Sequence, residues 1–159
     1  MPEYLYKALK KGGLSVEGSL VRTSKGYEII DLEGISYEIR PETICQYTGK
    51  NDRKGRRIFS DDIVQSFGEG DFASLFEDFV VKWDVDKCRY IVIDERGRTE
   101  EFDTFFAERC EVTFNLHNPT KIMLGGMALV DVTKDEKLMA LIEKHKQKEK
   151  VRTNGTEEE

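Results

Sequence analysis

The chain has 159 residues, a formal net charge of −6 and a hydrophobic fraction of 38%, which fits one compact domain with short appendages. A chain of this length buries a core without cross-links, and its nine Phe and six Tyr favour strands. No apolar run approaches the roughly 18 residues that a membrane helix needs. Residues 1–4 are a polar mixture unlike the start of a signal peptide. We therefore expect a protein that stays in the cytoplasm and does not enter the membrane.

Residues 1–40 contain short segments in which polar and apolar side chains alternate. These segments lie at 14–21, 27–32 and 35–39, and glycines separate them. Alternation with a period of two, interrupted by glycine, is typical of β-hairpins. This part of the chain is predicted to be an N-terminal hairpin region.

Residues 43–114 contain further strand-like segments that recur about every ten residues. This spacing favours a small SH3-like barrel or a partly open antiparallel sheet over alternating strands and helices. Trp83 lies on one of these alternating segments and is expected in the core. The predicted strands are 44–47, 62–67, 79–83, 89–93 and 111–114.

The C-terminal part of the chain predicts one amphipathic helix. Residues 133–136 have the form of a capping box, and Leu138, Leu141 and Ile142 then share one helical face. This narrow apolar stripe is expected to dock on its own domain or to form a contact between subunits. The predicted organisation is a β domain over 1–125, a linker and helix over 126–150, and a disordered tail over 151–159.

Cysteine and histidine usage gives no sign of a metal or redox site. Cys45, Cys88 and Cys110 form no CxxC pair, so we expect free thiols buried in strands and a reducing compartment. His117 and His145 lie in unlike contexts without metal-ligand spacing. We expect no metal, no cofactor and no catalytic residue.

Residues 46–64 combine a turn, a cluster of positive charge and the start of a new strand. Gly49 and Gly55 suit backbone with positive φ, and Asp52 suits a turn closed by its own side chain. Apolar residues at 58, 59, 63 and 64 then return the chain to the core. The run is therefore predicted first of all to reverse the chain.

The same run carries a resemblance to a known family. The sequences at 46–49, 52–55 and 58–64 resemble the pattern Q/M-Y-T-G-L-x-D-K-N-G-x-x-I-F/Y-E-G-D-I-V of the YopX family. The chain departs from this pattern at Lys50, where Leu is usual, and at Ser60-Asp61, where Glu-Gly is usual. The resemblance covers roughly residues 4 to 122. It implies a mostly β fold and a phage or prophage origin in a bacterial host, and it brings no catalytic residues.

Positive charge is concentrated in residues 50–57, which hold five basic side chains and one acid. Such a cluster can grip phosphates independently of sequence, and a neighbouring aromatic ring can stack on bases. Residues 58–81, however, contain six acids and no basic residue, which disfavours nucleic acid. The candidate nucleic-acid or partner contacts are Lys50, Arg53, Lys54, Arg56, Arg57 and Tyr47.

These patterns predict a mainly β, non-enzymatic accessory protein that acts by binding, and the resemblance implies that it comes from a phage or prophage. A protein partner or self-association through Leu138, Leu141 and Ile142 is the favoured mode, because the helix stripe and the strand edges both offer contact surfaces. Nucleic-acid binding through residues 50–57 is the alternative.

Overall fold

The computed structural model describes residues 4–67, 76–118, 122–124 and 128–130, together with residues 140 and 143. Compact packing divides the chain into two units, Met1–Thr113 and Phe114–Glu159. The elements are β1 Tyr6–Leu9, β2 Ser15–Thr23, β3 Gly26–Ile30, β4 Ser36–Glu38, a 3-10 turn Pro41–Thr43, β5 Cys45–Asn51, β6 Arg57–Phe59, β7 Asp62–Phe67, β8 Phe76–Asp84, β9 Arg89–Asp94, β10 Thr99–Glu101, α1 Thr104–Ala107, β11 Cys110–Asn115, β12 Ile122–Leu124 and β13 Ala128–Val130.

The strands form antiparallel sheets, so the prediction of a mainly β fold is confirmed. One sheet has the order β4-β3-β2-β1-β5-β6, a second has the order β10-β9-β8-β7-β11, and β12 pairs with β13. Within the described residues neither large sheet closes on itself, so the open sheet, and not the SH3-like barrel, describes this part of the molecule. Neighbouring strands are mostly consecutive in the chain, as in hairpins.

The C-terminal predictions fall mainly outside the described residues. Residues 140 and 143 are helical and exposed, but the stripe Leu138, Leu141 and Ile142 is not described, and neither are the predicted boundaries at 126 and 151. The helix and the domain limits therefore stay predictions. No helix in the part of the chain that the structure describes is long and apolar enough to cross a membrane.

Three hairpin loops share one design, in which an aspartate begins the turn. Asp31, Asp52 and Asp94 each accept, through one carboxylate oxygen, the backbone N–H groups two and four residues further on. A glycine three positions after each aspartate has φ of 85°, 80° and 84° in turn, a conformation that costs glycine little. The short pattern D-x-x-G therefore specifies three of the chain reversals.

The end of the run 46–64 ties the two large sheets together through a buried acid. Asp62 on β7 is fully buried. Its Oδ2 accepts the Phe59 N–H at 2.8 Å, and its Oδ1 accepts the Lys7 Nζ of β1 at 2.7 Å. Burying an acid requires such partners, and here they join β1 to β7.

The neighbouring residue explains one departure from the family pattern. Asp61 stands where the pattern has Gly, and its φ is 66°, in the left-handed region that favours glycine. Aspartate tolerates this region better than most residues. Its Oδ1 also accepts the Lys82 Nζ at 2.6 Å, so the substitution adds an ion pair to β8.

Two apolar clusters of described residues contribute to the core of the first unit. One lies under the six-stranded sheet and joins Ala8, Val16, Ile29 and Ile39. The second draws on several strands and on α1, so it holds the short helix against the five-stranded sheet. Its buried members are Ile58, Val64, Phe79, Val81, Val92, Phe102, Phe106, Ala107 and Cys110.

Two sequence predictions about burial were wrong. Trp83 was expected in the core but is 46% exposed, and it lies one residue before the end of β8. Cys88 was expected to be buried, yet it is exposed in the turn between β8 and β9 and has φ of 51°. Cys45 and Cys110 are buried as expected.

Candidate functional site

An open groove lies where the last residues of β8 and β10 and the start of β9 approach β5. Its volume is about 470 Å³, within the range of roughly 300–1,000 Å³ that is common for ligand sites. All of its walls belong to the first unit. The lining residues are Thr48, Lys50, Trp83, Arg89, Tyr90, Glu101, Phe102, Asp103 and Thr104.

Two aromatic side chains form a corner of this groove. Trp83 and Tyr90 are directly opposite each other on β8 and β9, and their rings meet nearly edge to face, with centroids 4.9 Å apart. Such pairing stabilises neighbouring strands. Tyr90 also packs against the core cluster, so its ring forms the inner side of the corner and the half-exposed ring of Trp83 forms the outer side.

The phenol of Tyr90 is uncharged at neutral pH. Burial raises the pKa of Tyr90 above its ordinary value, and nearby acidic groups add to this effect. A neutral phenol keeps its proton and can donate a hydrogen bond. The corner therefore offers apolar surface together with one polar group.

The charged residues of the groove are mostly occupied within the chain. Arg89 Nη1 lies 2.9 Å from Glu101 Oε1. Asp103 caps α1 by accepting the Phe106 N–H at 2.8 Å, as an N-cap residue does. Lys50, in contrast, makes no ion pair with any residue that the structure describes. The groove therefore has one cation available to a ligand.

The rest of the predicted basic cluster lies elsewhere and faces carboxylates. Arg53 Nε is 2.7 Å from Glu111 Oε1, and Lys54 Nζ is 3.5 Å from the same atom. Burial disfavours the charged form of Glu111, but the hydrogen bond and charge of Arg53, helped by Lys54, outweigh it and lower the pKa of Glu111. Two of the five predicted cations are thus held by β11.

Arg56 and Arg57 also have acidic neighbours. Arg56 Nε lies 3.8 Å from Asp52 Oδ2, and Arg57 Nη1 lies 3.6 Å from Glu17 Oε2 on β2. The negative charges of these carboxylates weaken the positive potential that the cluster presents to a phosphate backbone. The structure therefore separates Lys50, which lines the groove, from the four residues that were predicted to act with it.

Tyr47 is packed rather than presented to solvent. Its ring lies 5.6 Å from that of Phe59, its hydroxyl donates a hydrogen bond to Asn51 Oδ1, and its side chain is half-buried. A ring in this position contributes to the β5–β6 pair and has little free face for stacking on a base.

Sequence reasoning missed the groove itself. Trp83, Arg89, Tyr90 and Glu101 come from three strands, and none was predicted as a site residue. The available signal was the Trp83–Tyr90 spacing around a short turn, which makes the two residues cross-strand neighbours. The sequence did not show that the ring of Trp83 is exposed to solvent.

The two buried thiols, Cys45 and Cys110, are core side chains. Burial raises the pKa of Cys110 to about 12, so its thiol stays protonated and unreactive at neutral pH. Cys45 is also buried and donates to the carbonyl of Thr43 at 3.4 Å. Both behave as core side chains.

Comparisons with known proteins agree with the pattern in residues 46–64. The family model described as "YopX protein" matches residues 14–123, which include the groove, the five-stranded sheet and every strand of the six-stranded sheet except β1. No curated protein matches the chain.

Proposed function

This chain belongs to the YopX family, and we propose that it is a non-enzymatic accessory protein of a phage or prophage that binds a protein partner in the host cytoplasm. The single observation that supports this function best is the half-exposed Trp83 beside Tyr90. Exposed aromatic side chains with a charged rim are typical of the centres of protein interfaces. The Arg89–Glu101 pair and Lys50 supply that rim.

Further exposed apolar residues near the groove support a large partner over a small ligand. Val85 is 69% exposed and lies two residues beyond Trp83 on the adjoining turn, and Phe105 is 61% exposed and follows Thr104 of the groove wall. Apolar surface of this kind is typical of interaction sites.

The proposal has a direct test. The full chain and a Trp83→Ala variant are used to capture proteins from host cells that carry the phage, and each captured protein is then purified and titrated. A Leu32→Ala variant is the control, because Leu32 is 85% exposed and belongs to the loop between β3 and β4. The proposed function requires a partner that the wild type and Leu32→Ala bind and Trp83→Ala does not. Equal binding by all three proteins would overturn it.

Nucleic-acid binding through residues 50–57 is supported less well, because Arg53, Lys54, Arg56 and Arg57 face carboxylates. Single- and double-stranded oligonucleotides titrated at low salt give the test. Trp83 is the sole tryptophan of the chain, so its fluorescence reports binding in the groove without a label. Binding that weakens after Lys54→Ala and Arg56→Ala but leaves the Trp83 signal unchanged would support the alternative.

Self-association through Leu138, Leu141 and Ile142 is a separate proposal. Sedimentation of the full chain and of a chain shortened after residue 132 measures it. A dimer that dissociates in the shortened chain supports the helical contact, whereas a monomer in both cases counts against it.

A further inference from the structure

We propose that the protein partner supplies an extended peptide segment that pairs with the outer edge of β10, with an apolar side chain against Trp83 and Tyr90 and an acidic side chain facing Lys50. This inference rests on the proposed function and specifies the chemistry of the partner. It depends on three features of the described residues: an open strand edge, its continuity with the groove, and one unpaired cation.

The first feature is the edge of β10. This strand is the outermost of the five-stranded sheet, and all three of its side chains are exposed. The loop between β9 and β10 shows which residues of the two strands are hydrogen-bonded to each other, because the Asp94 N–H donates to the Arg98 carbonyl at 2.9 Å. With Val92 opposite Glu100, the alternation of an antiparallel pair directs the Glu100 backbone groups toward β9.

The same alternation turns the backbone groups of Thr99 and Glu101 away from the sheet. Outside the β9–β10 pairing, no described residue bonds to the N–H of either one. An open edge of this kind is completed by another extended backbone, which is how many domains bind peptides. The spacing of two residues between the free groups matches the repeat of a β-strand.

The second feature is that this edge leads directly into the groove. Glu101, the last residue of β10, lines the groove together with Phe102 and Asp103. A peptide that continues past the end of β10 therefore enters the groove that Trp83 and Tyr90 also line. Its backbone would give affinity through hydrogen bonds, and a side chain placed in the aromatic corner would give specificity.

The third feature is charge. Glu101 is paired with Arg89, and Asp103 is used as the cap of α1. Lys50 also lines the groove, and no carboxylate among the described residues forms an ion pair with it. An acidic side chain on the peptide would complete this pairing, which selects a partner by charge.

A second copy of β10 fits this edge poorly. Antiparallel pairing of two copies about their centres places Glu100 opposite Glu100, and like charges directly opposite each other destabilise a strand pair. Acidic residues on a short edge strand are a common protection against such self-pairing. The edge therefore favours a different chain.

Selection from random peptides of roughly nine residues, displayed and panned on the full-length protein, tests this inference. Trp83→Ala serves for counter-selection, after circular dichroism has shown that it is folded. We expect enriched sequences that combine an apolar or aromatic anchor with an acid. Failure to enrich any peptide over the counter-selected background would overturn the inference.

Amide hydrogen exchange of the complex with a synthesised peptide then tests the pairing. Binding should slow exchange at Thr99 and Glu101 and leave Glu100 unchanged, since the Glu100 N–H already faces β9. Lys50→Glu should weaken binding roughly tenfold, and replacing the peptide acid with lysine should restore it. Unchanged exchange at Thr99 and Glu101 in a saturated complex would overturn strand addition.

These outcomes are distinct from a failure of the proposed function. If Trp83→Ala loses the captured host partner while Thr99 and Glu101 stay unprotected in that complex, the groove binds a folded surface and only the peptide inference is wrong. If Trp83→Ala captures the same proteins as the wild type, the proposed function itself is wrong.

Discussion

The carboxylate of Asp52 accepts the backbone N–H of Val112 at 3.0 Å, although 60 residues separate the two in sequence. Through its other oxygen, Asp52 holds its own loop by accepting the N–H groups of Lys54 and Arg56, each at 2.9 Å. One buried side chain thus closes a hairpin and fixes β11 to it. The contact explains why this turn is part of the tertiary structure and is more than a surface reversal.

Asp52→Ala is therefore expected to destabilise the protein more than the same change in the matching loop at Asp31. Asp31 makes the two local bonds and a side-chain hydrogen bond with Tyr37, but no described bond joins it to the backbone of a distant strand. We expect a loss of about 1 kcal/mol for Asp31→Ala and about 3 kcal/mol for Asp52→Ala, because the latter also leaves the partly buried Val112 N–H without its partner. Urea unfolding of both variants measures the difference, and equal losses would contradict it.

The positive φ of Asp61 gives a second prediction. Asp61→Asn and Asp61→Ala both remove the charge that pairs with Lys82, but asparagine tolerates the left-handed region and alanine does not. We expect Asp61→Ala to be less stable than Asp61→Asn by about 1 kcal/mol. Thermal unfolding of the two variants under one condition is the measurement. Equal stability would show that the backbone at this position relaxes.

The exposure of Trp83 predicts a small stability effect for its removal. Phe79 lies on the same strand but is 3% exposed, whereas Trp83 is 46% exposed. We expect Phe79→Ala to cost about 3–5 kcal/mol and Trp83→Ala only about 1–2 kcal/mol. Chemical denaturation distinguishes the two, with circular dichroism as the probe because Trp83→Ala removes the only tryptophan. A loss at Trp83 as large as that at Phe79 would mean that its ring is a core residue.

The lowered pKa of Glu111 predicts a loss of stability in acid. A carboxyl whose pKa is lower in the folded state stabilises the protein above its ordinary pKa of 4.5. That contribution disappears as the pH falls through the lower, folded value. Glu111→Gln, which removes the titrating group, should show a smaller decrease in unfolding free energy between pH 5 and acid than the wild type. Parallel curves for the two proteins would contradict the Arg53–Glu111 assignment.

Thiol accessibility provides the last prediction. Cys88 is exposed, whereas Cys45 and Cys110 are buried and Cys110 has a pKa of about 12. A thiol reagent at neutral pH should therefore modify one cysteine rapidly in the native protein and the other two after denaturation. Mass spectrometry of the digested protein identifies the site. Rapid modification of Cys110 in the native state would contradict its burial.

The sequence by itself determined the local structure of this protein. The D-x-x-G loops at Asp31, Asp52 and Asp94 depend on contacts within five residues, and alternating strands carry their own pattern of faces. The predicted strands at 62–67, 79–83 and 89–93 lie at β7, β8 and β9. The resemblance of residues 46–64 to the YopX pattern was likewise visible in the sequence, because it depends on neighbouring residues. These features need no knowledge of distant residues.

Only the tertiary structure decided which of these residues are available to a partner. Alternation tells which face of β8 carries Trp83, but the elements that would cover it come from elsewhere in the chain. Likewise, the five basic residues of 50–57 are a cluster in sequence, yet strand order brings Glu17 and Glu111 beside three of them and leaves Lys50 in the groove. Pairing of charges depends on distance in space, which the sequence does not give. The structure therefore favours the aromatic corner at Trp83 and Tyr90 over the basic turn as the candidate site.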